Sequence, residues 1–181
     1  VLILTQTKPT IFVIDTSAIF GRIHYAAEDI QLATTPLLEK EMHEKELKEV
    51  TDLLIATDKL KVIAPTTASL QRVRTAATKL GDLKTLSEPD QHLLALALDL
   101  QEQSFTPIIV TDDYSIQNVA NKLDLEIKTM TQRGIREVIQ WETYCKACGH
   151  KDSTLTKADP CPVCGSPLRR RAIHKESVKS R

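Results

Sequence analysis

Residues 11–14, Ile-Phe-Val-Ile, form an unbroken apolar run that stops at Asp15-Thr16-Ser17. A short β-branched and aromatic run of this kind predicts a strand buried on both faces. Residues 107–110 repeat the pattern before Thr111-Asp112-Asp113, and weaker runs at 60–64 and 123–128 predict two further strands. Between them the apolar positions take a helical period. Thr35-Pro36 reads as a cap and first helical position, opening a charged helix that reaches about residue 57. Residues 68–80 predict a second helix, stopped by Gly81. Ser87-Glu88-Pro89-Asp90 caps a third, whose run from Leu93 to Leu98 is dense enough to require deep burial. Residues 114–122 predict a fourth. Strands alternating with helices define an α/β domain with a mainly parallel central sheet, because parallel neighbours need crossover connections. In such sheets sites form beyond the carboxyl ends of the strands, where Asp15 and the pair Asp112-Asp113 fall.

The 181 residues are 41% hydrophobic, which is enough for one packed domain and a small appendage. No stretch approaches the roughly 20 apolar residues that span a bilayer, and a secretory leader pattern is missing from the first residues, so a cytoplasmic protein without membrane contact is expected. Net charge is zero but unevenly placed: 15 Lys and Arg against 20 Asp and Glu over residues 1–140, then 9 against 4 over residues 141–181. All four cysteines lie in the second part. This shift divides the chain into residues 9–140, a small module at 141–168 and a basic, mobile tail at 169–181.

Carboxylates stand at Asp15, at Glu41 on the first helix, at Asp90 and at Asp112-Asp113. If these converge, their repulsion requires a counter-ion, and an all-oxygen donor set suits Mg²⁺ or Mn²⁺. Such an ion orients a water for in-line attack on a phosphodiester. Each acid also has a structural role open to it. Asp90 falls three residues after Ser87 and can complete a capping box, Asp112 can cap the following helix, Glu41 lies in a charged helical run, and Asp15 can cap the turn after it.

Four stretches carry a family resemblance: D-T-S at 15–17, T-P-L-L-E-K-E-M at 35–42, T-K-L-G-D-L-K-T-L-S-E-P-D at 78–90 and V-T-D-D-Y-S-I-Q-N-V-A at 110–120. They resemble the successive motifs of PIN-domain ribonucleases, and in particular the Nob family of ribosome-maturation nucleases. The resemblance implies a three-layer PIN-like domain and a metal-dependent endoribonuclease that forms the 3′ end of small-subunit rRNA from its precursor, leaving a 5′-phosphate and a 3′-hydroxyl. It also implies the small ribosomal subunit and its assembly factors as partners. The family's acids map to Asp15, Glu41, Asp90 and Asp113 as catalytic metal ligands. The T-x-D pattern selects Asp113 over Asp112, Glu39 competes with Glu41, and Ser17 with Thr16 would support the first carboxylate. An aspartyl-phosphate phosphatase would need a second aspartate where Ser17 stands.

C-K-A-C-G at 145–149 and C-P-V-C-G at 161–165 are two C-x₂-C pairs with 12 residues between them. Cys145, Cys148, Cys161 and Cys164 thus form a closed thiolate set for structural Zn²⁺, iron of the rubredoxin kind being the alternative, and the module reads as a zinc ribbon. Arg169, Arg170, Arg171 and Lys175 follow it and are suited to phosphate contacts with RNA, with Arg72, Arg74, Lys79 and Lys84 as further sources. Two rival functions share these features: a catalytically idle RNA-binding assembly factor, and a toxin-like ribonuclease of the same fold.

Overall fold

The computed structural model describes residues 8–15, 18, 30–41, 45–130, 134–152 and 154–178. Thr16, Ser17, Lys179 and Arg181 lie outside these, as do the side chain of Glu41 and two of the five histidines.

Five strands form one parallel sheet: β1 (Thr10–Ile14), β2 (Leu32–Thr34), β3 (Leu60–Val62), β4 (Thr106–Val110) and β5 (Glu126–Lys128). Their spatial order is β3-β2-β1-β4-β5. The chain therefore runs outward through β2 and β3 on one side of β1, then returns to build β4 and β5 on the other. That reversal puts the switch point between β1 and β4, where a crevice opens beyond the carboxyl ends of both strands. The register pairs Ile14 with Val110, so Asp15 and Thr111 leave the sheet side by side.

Both faces of the sheet are covered, which explains the continuous apolar runs. Ile11, Val13, Ala33 and Ile109 pack against helices α3 (Thr67–Leu80), α4 (Glu88–Glu102) and α5 (Tyr114–Lys122). Ile14, Leu32, Leu60 and Val110 face the other way, onto Leu47 and Leu54 of α2 (Lys45–Ala56). The short α1 (Pro36–Glu41) contributes Leu38 to the first cluster. The domain thus has three layers, with the run Leu93–Leu98 fully buried at its centre.

Local signals set the ends of these elements. Thr66 caps α3 and is itself held by Asp99 of α4, whose carboxylate accepts the Thr66 amide at 2.7 Å and the Thr66 and Ser69 hydroxyls at 2.8 and 2.7 Å. Three donors on one buried carboxylate tie the start of α3 to α4. Gly81 ends α3 at φ 70°, and a Cβ there would lie 2.3 Å from the Trp141 carbonyl oxygen, so both the turn and the close approach require glycine.

Two longer strands, β6 (Glu137–Cys145) and β7 (Leu168–Ser177), form a separate antiparallel hairpin that carries the cysteine module at its tip. Residues 169–177, read from the sequence as a basic mobile tail, are in fact nearly all of β7. β6 also passes without a break through the expected boundary at Trp141. The register slips between Gln140 and Trp141, leaving Ile173 as the extra residue of a β-bulge. Nearly all of β7 faces solvent, so its sequence lacks the alternation that marks a half-buried strand.

Candidate active site and metal-ligand cluster

Asp15 follows the last residue of β1 and is only 7% exposed. Its Oδ1 accepts the Ala18 amide at 3.0 Å and its Oδ2 accepts the Thr111 hydroxyl at 2.6 Å. The same Thr111 oxygen accepts the Asp113 amide at 3.1 Å. One buried hydroxyl thus joins the first acid to the backbone of the fourth across two neighbouring strand ends. Asp113 caps α5, taking the Ser115 amide and hydroxyl at 2.6 and 2.5 Å on Oδ1.

Asp90 occupies the third position of α4 and forms the capping box, accepting the Ser87 amide at 3.0 Å and hydroxyl at 2.6 Å. These bonds favour its charged form, yet its pKa is raised. Burial is the main cause, and the negative charges of Asp113 and Asp15 add to it. Asp90 therefore senses both other acids, although the three arrive from separate segments. Capping and proximity coincide here: each carboxylate is held by its own cap, and Asp90 still feels the charge of the other two.

Asp112 accepts the Met130 amide on its Oδ1 at 2.9 Å, beyond β5. Glu41 is the last residue of α1, the helix whose Leu38 packs in the same cluster as α4, and Glu39 is half-buried on that helix. Among the described residues, the three acids at the crevice do not close into a tight ligand set; only the cysteines do. Thr111 is the residue that sequence reasoning used as a pattern but did not weigh as a part. The T-x-D spacing marks it, since the threonine must end its strand beside Asp15 for its hydroxyl to reach both acids.

The four cysteine sulfurs lie within 4.8 Å of one another, with Cys145 to Cys164 at 3.5 Å and Cys148 to Cys161 at 3.6 Å. A tetrahedral site with metal–sulfur bonds of about 2.3 Å has edges of about 3.8 Å, so the set fits Zn²⁺. The two knuckles repeat one geometry. Gly149 and Gly165, at φ 77° and 72°, donate their amides to the carbonyls of Cys145 and Cys161 at 3.0 and 2.8 Å. Hydrogen bonds from Ser166 pull the Cys164 thiol down to about 6. The His150 amide favours the Cys148 thiolate, but desolvation and the other sulfurs push that thiol up to about 12. All four positions are protein ligands, which leaves no open place for a reacting water.

The basic residues of β7 are mostly engaged within the chain. Arg170 donates to the Gly81 carbonyl at 2.8 Å, forms an ion pair with buried Asp82, and lies over the Trp141 ring at 4.5 Å. Asp82 also accepts the Asn118 amide at 2.5 Å, and Asn118 exchanges two 2.8 Å bonds with the backbone of Ile139. This knot fastens the hairpin to the α/β domain. Arg171 pairs with Glu142 at 2.6 Å over Tyr144, and Lys175 with Glu137 at 2.8 Å. Arg169 is exposed and borders, with Lys84 and Lys157, a cleft of about 570 Å³ between the domain and the ribbon.

A five-stranded parallel sheet with acids at its switch point is the arrangement of a PIN-domain nuclease, and a family model described as the PIN domain of ribonuclease matches residues 12–100. The chain is 39% identical to Endoribonuclease Nob1 of Pyrococcus abyssi over 78% of its own length and 84% of that protein's. It is 32% identical to Endoribonuclease Nob1 of Methanocaldococcus jannaschii, over 93% of this chain and 81% of the relative. Ribonuclease VapC1 of Thermoplasma acidophilum is 33% identical over the same shares. The chain belongs to the Nob1 family of PIN-domain endoribonucleases and is an endoribonuclease. No helix among the described residues is long and apolar enough to cross a membrane.

Proposed function

We infer that this endoribonuclease cuts precursor small-subunit rRNA to form its mature 3′ end, in the cytoplasm, on the small ribosomal subunit and in company with its assembly factors. The relatives named Endoribonuclease Nob1 support an RNA substrate, and the family resemblance of the sequence motifs supports the particular one. The observation that carries the catalytic reading is the link Asp15–Thr111–Asp113 at the switch point, together with the repulsion that Asp90 feels from both acids. Like charges gathered in one crevice fit a divalent cation, and an oxygen donor set fits Mg²⁺ or Mn²⁺. Asp15, Asp90 and Asp113, with Glu41 from the adjoining helix, are its proposed ligands. Such an ion supplies a correctly placed water and offsets charge on the leaving oxygen. Hydrolysis by water then leaves a 5′-phosphate and a 3′-hydroxyl.

On this reading the chain's own residues hold the acids in position. Thr111 holds Asp15 at one oxygen while Ala18 holds the other, and Ser87 and Ser115 keep Asp90 and Asp113 from swinging away. Arg169, Lys84 and Lys157 are placed for phosphate contacts at the cleft beside the ribbon. The likeness to a protein named Ribonuclease VapC1 supports a second reading, a ribonuclease of the same fold with a different RNA substrate. Cut-site mapping on a precursor that spans the small-subunit 3′ end, with Mn²⁺ titrated in, separates the two. A single metal-dependent cut at the mature end supports the first reading, and cuts unrelated to that end support the second.

A further inference from the structure

A groove of about 400 Å³ runs between the nuclease domain and the hairpin, walled by Thr85, Tyr114, Ile135, Ile139 and Trp141. Its lining is mostly apolar, yet it adjoins the segments that carry Asp90 and Asp113. Tyr114 is the residue after Asp113, and Thr85 lies two residues before Ser87, which holds Asp90. The groove and the acid crevice therefore share two segments, so a chain laid across one is led toward the other. Tyr114 is 53% exposed, at the first position of α5, with its neighbour Ser115 locked onto Asp113.

Most polar groups around the groove are already engaged, Glu137 with Lys175 among them. The Thr85 hydroxyl donates to the Asp82 carbonyl at 2.9 Å, the Ser115 hydroxyl to Asp113, and the Asn118 amide to Asp82 and Ile139. Arg170 covers one face of Trp141. What stays available is apolar surface and the Tyr114 ring. We propose that this groove takes an unstacked nucleobase of the RNA next to the scissile phosphate, gripping it by stacking on Tyr114 and not by reading its hydrogen-bonding edge. The proposal rests on the reading of the acids as the cleavage centre.

Two properties follow. The base must come from a single strand, because a paired base offers no free face. Recognition must tolerate all four bases, since every base can stack. The groove thus selects unpaired RNA at the cut and leaves sequence choice to other contacts.

The test crosses protein and RNA changes. Single-stranded RNA oligonucleotides spanning the cut, each with one abasic position, are titrated with Asp15→Asn protein in the absence of added divalent ions, carrying Tyr114, Tyr114→Ala or Tyr114→Phe. Tyr114→Ala should weaken binding of the intact RNA about tenfold, and Tyr114→Phe should leave it within about twofold. At one position beside the cut, the abasic RNA should bind both Tyr114 and Tyr114→Ala proteins equally weakly. Elsewhere the tenfold difference should persist. A Tyr114→Ala effect that is the same on every abasic RNA, or no effect on intact RNA, overturns the proposal. Binding without cleavage makes this outcome independent of the catalytic reading, which fails separately if Asp15→Asn protein still cuts.

Discussion

The acid crevice and the cysteine ribbon are two ways of gathering ligands. In the ribbon, four sulfurs come from two short turns of identical geometry, and all lie within 4.8 Å. In the crevice, Asp15, Asp90 and Asp113 come from three segments spread over 99 residues of chain, counting both ends, and each is fixed first by its own cap. The ribbon has little apolar core of its own among the described residues, Cys145, Cys161 and Leu168 with Leu155 against them, so a metal on the four sulfurs would supply much of its stability. The crevice rests on a sheet buried on both faces, a packed core of the kind the ribbon lacks. A closed site is therefore part of its fold, and an open site is carried by one.

The comparison breaks most sharply when the ribbon loses its metal. Structural zinc contributes on the order of 10 kcal/mol to such modules. Cys161→Ser, or stripping by a strong chelator, should remove hydrogen-exchange protection between residues 145 and 165 while the five-stranded sheet keeps its own. Continued protection of both knuckles without metal would contradict the assignment. A smaller effect is expected at the joint between the regions. Arg170→Ala leaves buried Asp82 without its charged partner and should lower stability by about 3 kcal/mol in denaturant unfolding.

On the crevice side, the raised pKa of Asp90 makes a signed prediction. A carboxyl held above its unfolded value stabilises the fold below that value, 3.8, and loses this contribution as pH rises through the folded pKa. In protein without divalent ions, Asp90→Asn should therefore raise the melting temperature near neutral pH and flatten its fall above pH 4. An unchanged profile would mean that Asp90 feels neither burial nor its neighbours. The least effect is expected from Arg171→Ala, because the Glu142 pair is half-exposed; unfolding should report a loss below about 1 kcal/mol. An effect as large as that of Arg170 would erase the distinction between the knot and the solvent-facing pairs.

What the sequence revealed follows the same division. The cysteine spacing is local and announces its own chemistry. The helix boundaries were legible for a similar reason: Ser87, Asp90 and Gly81 act within a few residues of themselves. β2 escaped notice because three residues, Leu32–Thr34, carry no period. The hairpin escaped because β7 buries almost nothing, and a charged strand reads like a tail. For the same reason Arg170 looked like a phosphate ligand, when its nearest partners are Asp82, Gly81 and Trp141, which no spacing connects to it. The acids stood between these cases. Strand ends located Asp15 and Asp113, but only the register of β1 on β4 shows that Thr111 ties them together.

The central claim is that Asp15 belongs to a metal-dependent centre for RNA hydrolysis. Asp15→Asn keeps the shape of the side chain and an oxygen for the Thr111 hydroxyl, while removing the charge. Cleavage of the precursor RNA with saturating Mn²⁺ should fall at least about a hundredfold, a loss of the size caused by removing one electrostatic stabiliser from an active site. RNA affinity and melting temperature should stay near those of the unaltered protein. Cleavage at the original rate by Asp15→Asn protein would contradict the account.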